Sequence, residues 1–443
     1  MLSTFSQKEV YVKEKIIDSV FINGNSGESF ALYLPAKYDT SILSPIVFIF
    51  DPVARGKTGI HPFIKASEKY GYILVCSNDS RNGPYKSNYD IASRLFEKVQ
   101  GEFMIDENRI YTAGFSGGSR LAANIAILTG TIHGVIACGA GFTSKLNLIG
   151  ADISFSYASI VGDEDMNYLE MINTKEYLNK MNIPNELFVY EINHRWPSQD
   201  QILRAFDWLQ LETFKKQIIA KKEQQLKKIY NDYYAYASQL NRNKKDLLAL
   251  EEYERILRNF GKIYDIDSIR AIVTELENNN FVKKERKELK SIFEKEIYLN
   301  DLYTKKFYND LRSKKRNLKW WHSEISKLYK KFEKGNSYEK KMFSRLLYKI
   351  FAMAIEIPES GDYQNIDEAI FCYDICIFIY PKFPRPYFEQ IENFIKKNNE
   401  TMALDYLEKL LNTGYDNYLS IENNKAFESI RNSGRYKKLI TNK

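Results

Sequence analysis

Cysteine and histidine are scarce in this chain of 443 residues, and their scarcity narrows the chemistry available to it. Four cysteines are too few for a disulfide scaffold, and none belongs to a C-x-x-C pair of the zinc-binding type. Cys372 and Cys376 lie four residues apart on a predicted helix, which favours small buried thiols. We therefore expect neither a metal nor a cofactor. Four histidines leave a short list of candidates for acid–base catalysis: His61, His133, His194 and His322.

Long apolar runs are also missing, so we expect no membrane span, which needs roughly 18 such residues. The apolar content of 44% and the charged content of 27% are typical of a soluble globular protein, here long enough for two or three domains. The first residues, MLSTFSQKEV, lack the charged segment and apolar core of a complete signal peptide. The stretch LSTFSQ is compatible with the tail of a trimmed export signal. The sequence therefore leaves two alternatives for the compartment, a protein that stays inside the cell and one that is exported.

Charge is shared unevenly between the two halves of the chain. Residues 1–210 hold 19 basic and 23 acidic residues, whereas the remainder holds 45 and 34, so the net charges are −4 and +11. A basic half is a known feature of nucleic-acid-binding proteins. Here, however, lysines alternate with glutamates, as in KKERKELKSIFEKE, which is typical of a solvated helix face. We therefore do not expect nucleic-acid binding.

Short apolar runs alternate with helical patterns as far as residue 212. Six runs of β-branched and aromatic residues end at turn formers, and stretches with apolar spacing of three and four separate them. Continuous apolar strands divided by helices predict a parallel sheet covered on both faces. Segments at Lys15–Phe21 and Phe30–Leu34 are predicted to be antiparallel edge strands. The predicted fold is α/β over residues 15–212, with 1–14 as a tail.

Glycine, proline and strand patterns become rare after residue 212, which predicts an all-α region. We expect a helical segment over 213–335 and a second one over 336–443. In the second, AIFCYDICIFIYP, starting at Ala369, aligns with ALDYLEKLLNTGY, starting at Ala403, at an offset of 34 residues. That period resembles tetratricopeptide repeats, which bind peptides or partner proteins, although the typical Trp and Gly positions are unmatched. A generic helical bundle explains the pattern equally well.

The stretch YTAGFSGGSR, residues 111–120, places one serine among small residues directly after a predicted strand. Gly114 and Gly118 stand two before and two after Ser116, which is the spacing that a sharp strand-to-helix turn requires. Such a turn would expose the Ser116 hydroxyl. An ordinary glycine-rich loop is the alternative, so the surroundings of the serine must decide.

A serine hydroxyl needs a neighbouring base, usually a histidine that a carboxylate orients. His194 follows the last predicted strand, and the carboxylates of SIVGDEDMNY follow the strand before it. The carboxyl ends of parallel strands meet at one edge of a sheet, so these groups should lie near Ser116. The other three histidines are placed elsewhere by the predicted topology: in an early loop, at the opposite end of the sheet and in the helical half.

Residues 15–212 resemble an α/β-hydrolase domain of the polyhydroxybutyrate depolymerase and feruloyl esterase type. RIYTAGFSGGSRLA matches the family's nucleophile turn, GDED its acid turn and NHRWP its histidine loop. The resemblance implies Ser116 as nucleophile, His194 as general base and acid, and Asp165 as the orienting carboxylate. Asp165 is preferred because it follows Gly162 by three residues, and Asp163 is the alternative.

Backbone N–H groups are expected to stabilise the oxyanion of such a reaction. Gly117, which heads the helix after the serine, should supply one donor. The loop DPVARGKTG departs from the family's usual His-Gly pattern, and Pro52 has no N–H, so Val53 or its neighbour Ala54 should supply the second. We expect a further set of residues to line the substrate: Asp51, Tyr85 and Trp196.

The leading hypothesis is a serine hydrolase that cleaves small carboxylic esters through an acyl-enzyme. A peptidase is the alternative within enzymes, because the same three side chains serve esters and amides. A different class of function would be a scaffold that binds a protein partner through the helical half, with the hydrolase domain inactive or auxiliary.

Overall fold

The computed structural model describes residues 11–22, 27–142, 153, 155–313, 315–361 and 363–441. The chain divides into two compact units, Met1–Glu288 and Leu289–Lys443. Most of the predicted tail, residues 1–10, lies outside the described residues. The domain boundaries predicted at 212 and 335 stay predictions.

The first unit is built on one sheet of eight strands, in the order β1-β2-β4-β3-β5-β6-β7-β8. β1 pairs with β2 and β2 with β4 in antiparallel fashion, and every other pairing is parallel. This confirms the predicted α/β class and the two antiparallel edge strands. The strands are β1 (Ile16–Phe21), β2 (Ser29–Tyr33), β3 (Ser44–Phe50), β4 (Ile73–Ser77), β5 (Ile105–Phe115), β6 (Gly134–Cys138), β7 (Ser156–Gly162) and β8 (Asn185–Tyr190).

Helices cover this sheet and follow its strands along the chain. Every residue of β3, β4, β6 and β7 is buried, so both faces of these strands are covered. This burial explains why their sequences are mostly apolar. A 3₁₀ turn at His61–Phe63 accompanies the helices. The helices of this part are α1 (Gly56–Ile60), α2 (Ile64–Tyr70), α3 (Tyr85–Glu102), α4 (Gly117–Thr129), α5 (Tyr168–Lys180) and α6 (Gln199–Lys215).

Three further helices belong to the first unit: α7 (Glu223–Arg242), α8 (Asp246–Phe260) and α9 (Asp267–Asn278). They share an apolar core whose largest members are Tyr233, Tyr253 and Phe260. The next helix, α10 (Asn280–Leu311), contains the boundary between the two units. The helical region that begins after residue 212 thus contributes its first three helices to the same compact unit as the sheet.

A buried ionic network joins α8 to the sheet. Arg255 of α8 is 1% exposed and pairs with Glu252 on its own helix and with Glu186 of β8. Arg204 of α6 lies 2.6 Å from Glu252 and stacks on aromatic rings of α7 and β8. Burial alone would raise the pKa of Glu252, but the two arginines outweigh it and lower that pKa to about 2. Both arginines therefore face a carboxylate that is ionised at neutral pH.

Every regular element in the described part of the second unit is a helix. Trp321, Phe307 and Phe371 lie in one of its apolar clusters, and Tyr387, Leu407 and Phe427 lie in another. A 3₁₀ helix covers Lys425–Ile430. The helices are α11 (Leu318–Lys334), α12 (Ser337–Ser360), α13 (Ile366–Ile379), α14 (Arg385–Lys396), α15 (Glu400–Asn412), α16 (Tyr418–Glu422) and α17 (Gly434–Thr441).

The two segments that align at an offset of 34 residues form equivalent helices, α13 and α15, and α14 lies between them in the chain. Every aligned pair examined is buried: Ala369 and Ala403, Tyr373 and Leu407, Cys376 and Leu410. The shared pattern is therefore one of core packing. Assignment of this region to tetratricopeptide repeats, and protein binding through it, stay predictions.

None of the helices in the described part of the chain is long and apolar enough to cross a membrane. All four cysteines are buried and unbridged, including Cys372 and Cys376 on α13. Burial raises the pKa of Cys372 to about 12, which keeps this thiol protonated and inert at neutral pH.

Candidate active site

The turn between β5 and α4 holds Ser116 in a strained backbone conformation. Its φ of +52° and ψ of −122° are rare for a residue with a side chain, and such strain persists only where the surroundings enforce it. The Ser116 N–H donates to the carbonyl of Cys138, 2.8 Å away on the neighbouring strand, which fixes the turn to the sheet. The hydroxyl therefore lies at the carboxyl edge of the sheet, at the N-terminus of a helix.

Both glycines of the G-x-S-x-G sequence are required by contact with backbone. A Cβ on Gly114 would lie 2.2 Å from the carbonyl oxygen of Gly118, and a Cβ on Gly118 would lie 2.1 Å from that of Phe50. Backbone atoms cannot move aside as the end of a flexible side chain can. The spacing in the sequence is thus explained by how closely α4 approaches β3 and β5.

Gly118→Ala is expected to lower the free energy of unfolding by about 1–3 kcal/mol, because the added methyl overlaps the Phe50 carbonyl. Gly101→Ala is the matched control: Gly101 lies in α3 with no atom within 4 Å of an added Cβ, so alanine should stabilise the helix by up to about 1 kcal/mol. Urea unfolding followed by circular dichroism measures both. Equal effects of the two substitutions would contradict the close approach at Gly118.

The turn after β7 carries the buried carboxylate. Asp165 is 1% exposed, and its Oδ1 accepts the N–H of Asn167 at 2.8 Å. The turn is so tight that a Cβ on Gly162 would lie 1.9 Å from the carbonyl oxygen of Ile192. The N–H of Glu164 donates to the same Ile192 carbonyl, so this turn and the segment after β8 are held side by side.

His194 lies between Asp165 and Ser116. Its Nδ1 is 2.8 Å from Oδ2 of Asp165, and its Nε2 is 3.0 Å from Oγ of Ser116. The imidazole also packs against the ring of Phe115, with ring centres 4.6 Å apart. The structure thus brings together the three side chains that the sequence singled out, although 78 residues separate the histidine from the serine.

Asp163, the alternative carboxylate, lies two residues before Asp165, and its N–H donates to the carbonyl of Tyr190. It lines a cavity of about 190 Å³ bounded by β8, α7 and α8, together with Tyr236, Lys245 and others. Of the two carboxylates, Asp165 is the one that contacts the imidazole.

Asp51, expected to line the substrate, is fully buried instead. Its carboxylate accepts from the N–H groups of Val53 and Arg55, from the Arg55 guanidinium and from the Trp196 indole at 2.8 Å. Because Trp196 lies two residues after His194, Asp51 ties the loop after β3 to the histidine segment. Its position is that of a structural bridge, and the Trp196 ring packs between Phe63 and Phe115.

The two expected oxyanion donors differ in whether their backbone N–H groups already have an acceptor. Gly117 begins α4, and no acceptor for its N–H is found within the described residues. The Val53 N–H, in contrast, donates to Asp51 Oδ1 at 3.0 Å, so it is not free as the prediction requires. The Val53 side chain is exposed, as is that of Tyr85, which stacks on Tyr89 at the start of α3.

No group of three or more His, Cys, Asp or Glu side chains suited to a metal ion occurs among the residues that the structure describes. The eight-stranded order, the serine on the strained turn after β5 and the acid and histidine after β7 and β8 together define the α/β-hydrolase fold in the N-terminal part of the chain.

Solved structures with this fold align with the same part of the chain. They include S-formylglutathione hydrolase from Staphylococcus aureus, with 14% identity and a TM-score of 0.36 over 44% of this chain and 96% of that one. A hyperthermophilic esterase from Pyrobaculum calidifontis aligns with 15% identity and a TM-score of 0.37, over 47% and 88%. Est1E from Butyrivibrio proteoclasticus aligns with 12% identity and a TM-score of 0.35, over 45% and 100%. No family model and no curated protein matches the sequence.

Proposed function

We propose that the chain is a serine hydrolase that cleaves carboxylic esters through a covalent acyl-enzyme. The observation that carries the proposal is the continuous contact from Asp165 through His194 to Ser116, at 2.8 and 3.0 Å, on a turn that holds the serine in a strained conformation. A structural serine needs neither that strain nor a histidine held by a buried carboxylate.

In the first half-reaction, Ser116 Oγ forms a bond to the ester carbonyl carbon while its proton passes to His194 Nε2. The negative charge that develops on the carbonyl oxygen is stabilised by the Gly117 N–H. The bond from carbon to the leaving oxygen then breaks, and the imidazolium returns its proton to that oxygen. The products are an alcohol and an acyl group on Ser116.

In the second half-reaction, His194 takes a proton from water, whose oxygen attacks the acyl carbon. Collapse of the tetrahedral adduct breaks the bond to Ser116 Oγ, which recovers its proton from His194 and releases the carboxylic acid. Asp165 acts throughout by accepting a hydrogen bond from the N–H at Nδ1, which holds the neutral imidazole in the tautomer whose Nε2 can accept a proton.

A fluorophosphonate probe tests the class of enzyme. We expect the purified protein to be labelled covalently and to release p-nitrophenol from p-nitrophenyl acetate, and Ser116→Ala to do neither. Ser87→Ala, which removes an exposed hydroxyl at the start of α3, is the control and should keep both properties. A wild-type protein that neither labels nor hydrolyses the ester would overturn the proposal.

The substrate bond is tested separately, because the three side chains serve amides as well as esters. A p-nitrophenyl ester and a p-nitroanilide with the same acyl group isolate the leaving group as the only difference. Faster cleavage of the ester, beyond the difference in intrinsic reactivity, supports an esterase. A higher kcat/KM on the anilide would assign the protein to the peptidases instead.

A further inference from the structure

A second oxyanion donor is expected in the loop after β3, but the backbone N–H groups of this loop form hydrogen bonds within the loop itself. The N–H groups of Val53 and Arg55 both donate to Oδ1 of Asp51, at 3.0 and 3.3 Å. The Ala54 N–H donates to the Asp51 carbonyl at 3.2 Å, and Pro52 has none. Asp51 thus closes this loop on itself, and none of these four residues has an unbonded backbone N–H to offer a substrate.

A different side chain lies against the first donor. The carboxamide of Asn82, in the loop after β4, is in contact with Gly117: a Cβ added there would lie 1.8 Å from Oδ1 and 3.4 Å from Nδ2 of Asn82. Gly117 directly follows Ser116 and carries the expected first donor. The Asn82 amide therefore lies directly beside the residue that carries the expected first donor.

Resting on the hydrolase function proposed above, we propose that Asn82 supplies the second oxyanion donor through its Nδ2. A rotation about the Cβ–Cγ bond exchanges Oδ1 and Nδ2 at little cost, because that torsion is broad and close to two-fold. The developing negative charge would favour the rotamer that presents the NH₂ group. Side-chain amides serve in this role as well as backbone N–H groups do.

The backbone at Asn82 and at the residue before it is held in place, as a preorganised donor requires. The Asn82 N–H donates to the carbonyl of Pro52 at 2.7 Å, which joins this loop to the loop after β3. The preceding residue, Arg81, has both of its backbone groups bonded to the buried side chain of Asn88, at 3.1 and 2.9 Å. The Asn82 side chain itself is exposed, so a substrate can reach it.

The test is steady-state hydrolysis of p-nitrophenyl acetate by the full chain. Asn82→Ala should lower kcat by about 10²–10³-fold with KM within about threefold, because the hydrogen bond forms only in the transition state. Asn82→Asp has the same shape without the NH₂ group and should lose at least as much. Lys86→Ala, an exposed change four residues along, should retain kcat. Thermal midpoints of all four proteins should agree within a few degrees.

A donor role and a merely structural role differ at Asn82→Asp. If that variant keeps kcat within threefold of wild type, or if Asn82→Ala does, the assignment of Asn82 is wrong while the hydrolase proposal stands. A matching fall in kcat with a collapsed thermal midpoint would also count against it, because the loss would then follow from unfolding. A wild-type protein without activity or labelling removes the hydrolase proposal, and the Asn82 role with it.

Discussion

Asp165→Asn is expected to lower kcat for ester hydrolysis by roughly 10⁴-fold, because an amide at this position forces the imidazole into the wrong tautomer. Oδ2 of Asp165 lies 2.8 Å from Nδ1 of His194, so the carboxylate can accept a hydrogen bond from an N–H at Nδ1. An asparagine that turns its NH₂ group toward Nδ1 makes Nδ1 the acceptor and moves the ring proton to Nε2. That nitrogen can then no longer take the proton of Ser116.

Asp163→Asn is the matched control, since it makes the same chemical change two residues earlier in the same turn. The oxygen 2.8 Å from His194 Nδ1 belongs to Asp165, and Asp163 lines the cavity bounded by β8, α7 and α8, so kcat should stay within about threefold of wild type. Both are measured with p-nitrophenyl acetate at pH 7, beside thermal unfolding. A large loss at Asp163 with little at Asp165 would transfer the orienting role to Asp163.

Arg255→Met is expected to lower the free energy of unfolding by about 3–5 kcal/mol, because it removes a fully buried counter-charge from two buried carboxylates, each of which keeps one other arginine. Arg255 is 1% exposed, pairs with Glu252 and Glu186, and donates to the Leu187 carbonyl at 2.7 Å. Methionine fills much of the same volume, so the loss reports charge more than packing. Urea unfolding at neutral pH measures it.

Arg258→Met provides the comparison on the same helix. Arg258 also pairs with Glu186, at 2.9 Å, but its side chain is 45% exposed and water screens the pair. The expected loss is about 1 kcal/mol or less. Similar losses for the two single arginine variants would contradict a special role for burial.

The three contacting side chains could be predicted from the sequence because each one follows a strand that the apolar pattern already marks. Ser116, Asp165 and His194 come after β5, β7 and β8, and parallel strands bring their carboxyl ends to one edge. The glycines around Ser116 added a local signal that only close backbone contact explains. Long sequence separation was no obstacle, since the sheet itself supplies the proximity.

Residues whose roles depend on which hydrogen bonds form in loops could not be predicted in this way. Asp51 at a strand end indicated a group facing the substrate, but its carboxylate is turned inward to bind Arg55 and Trp196. In this orientation the carboxylate also accepts a hydrogen bond from the Val53 N–H, which is then not available as an oxyanion donor. Asn82 carried no signal in the sequence, because its significance comes from contact with Gly117, a residue 35 positions away. One sequence feature could have indicated the structural role of Asp51: it is a charged residue directly before a proline, at the end of a buried strand.

The change of composition after residue 212 marks where the strands end. It does not indicate the ion pairs that join residues before this point to residues after it. Glu186 and Arg204 lie before that point, whereas Glu252 and Arg255 lie after it. Alternating charges on helices predict a solvated face, but eight of the fifteen residues of α8 are buried, Glu252 and Arg255 among them. Two buried members of such a pattern look no different from their exposed neighbours until the partner strand is in place.

These buried ion pairs limit how the sheet could be transferred to another protein in evolution. A gene fusion that copied only the strands and their covering helices would inherit Glu186 and Arg204 facing a missing partner, and the product would carry stranded charges in its interior. Exchange of the sheet between proteins therefore favours crossover points beyond α8, so that the first helices after the sheet are inherited along with it.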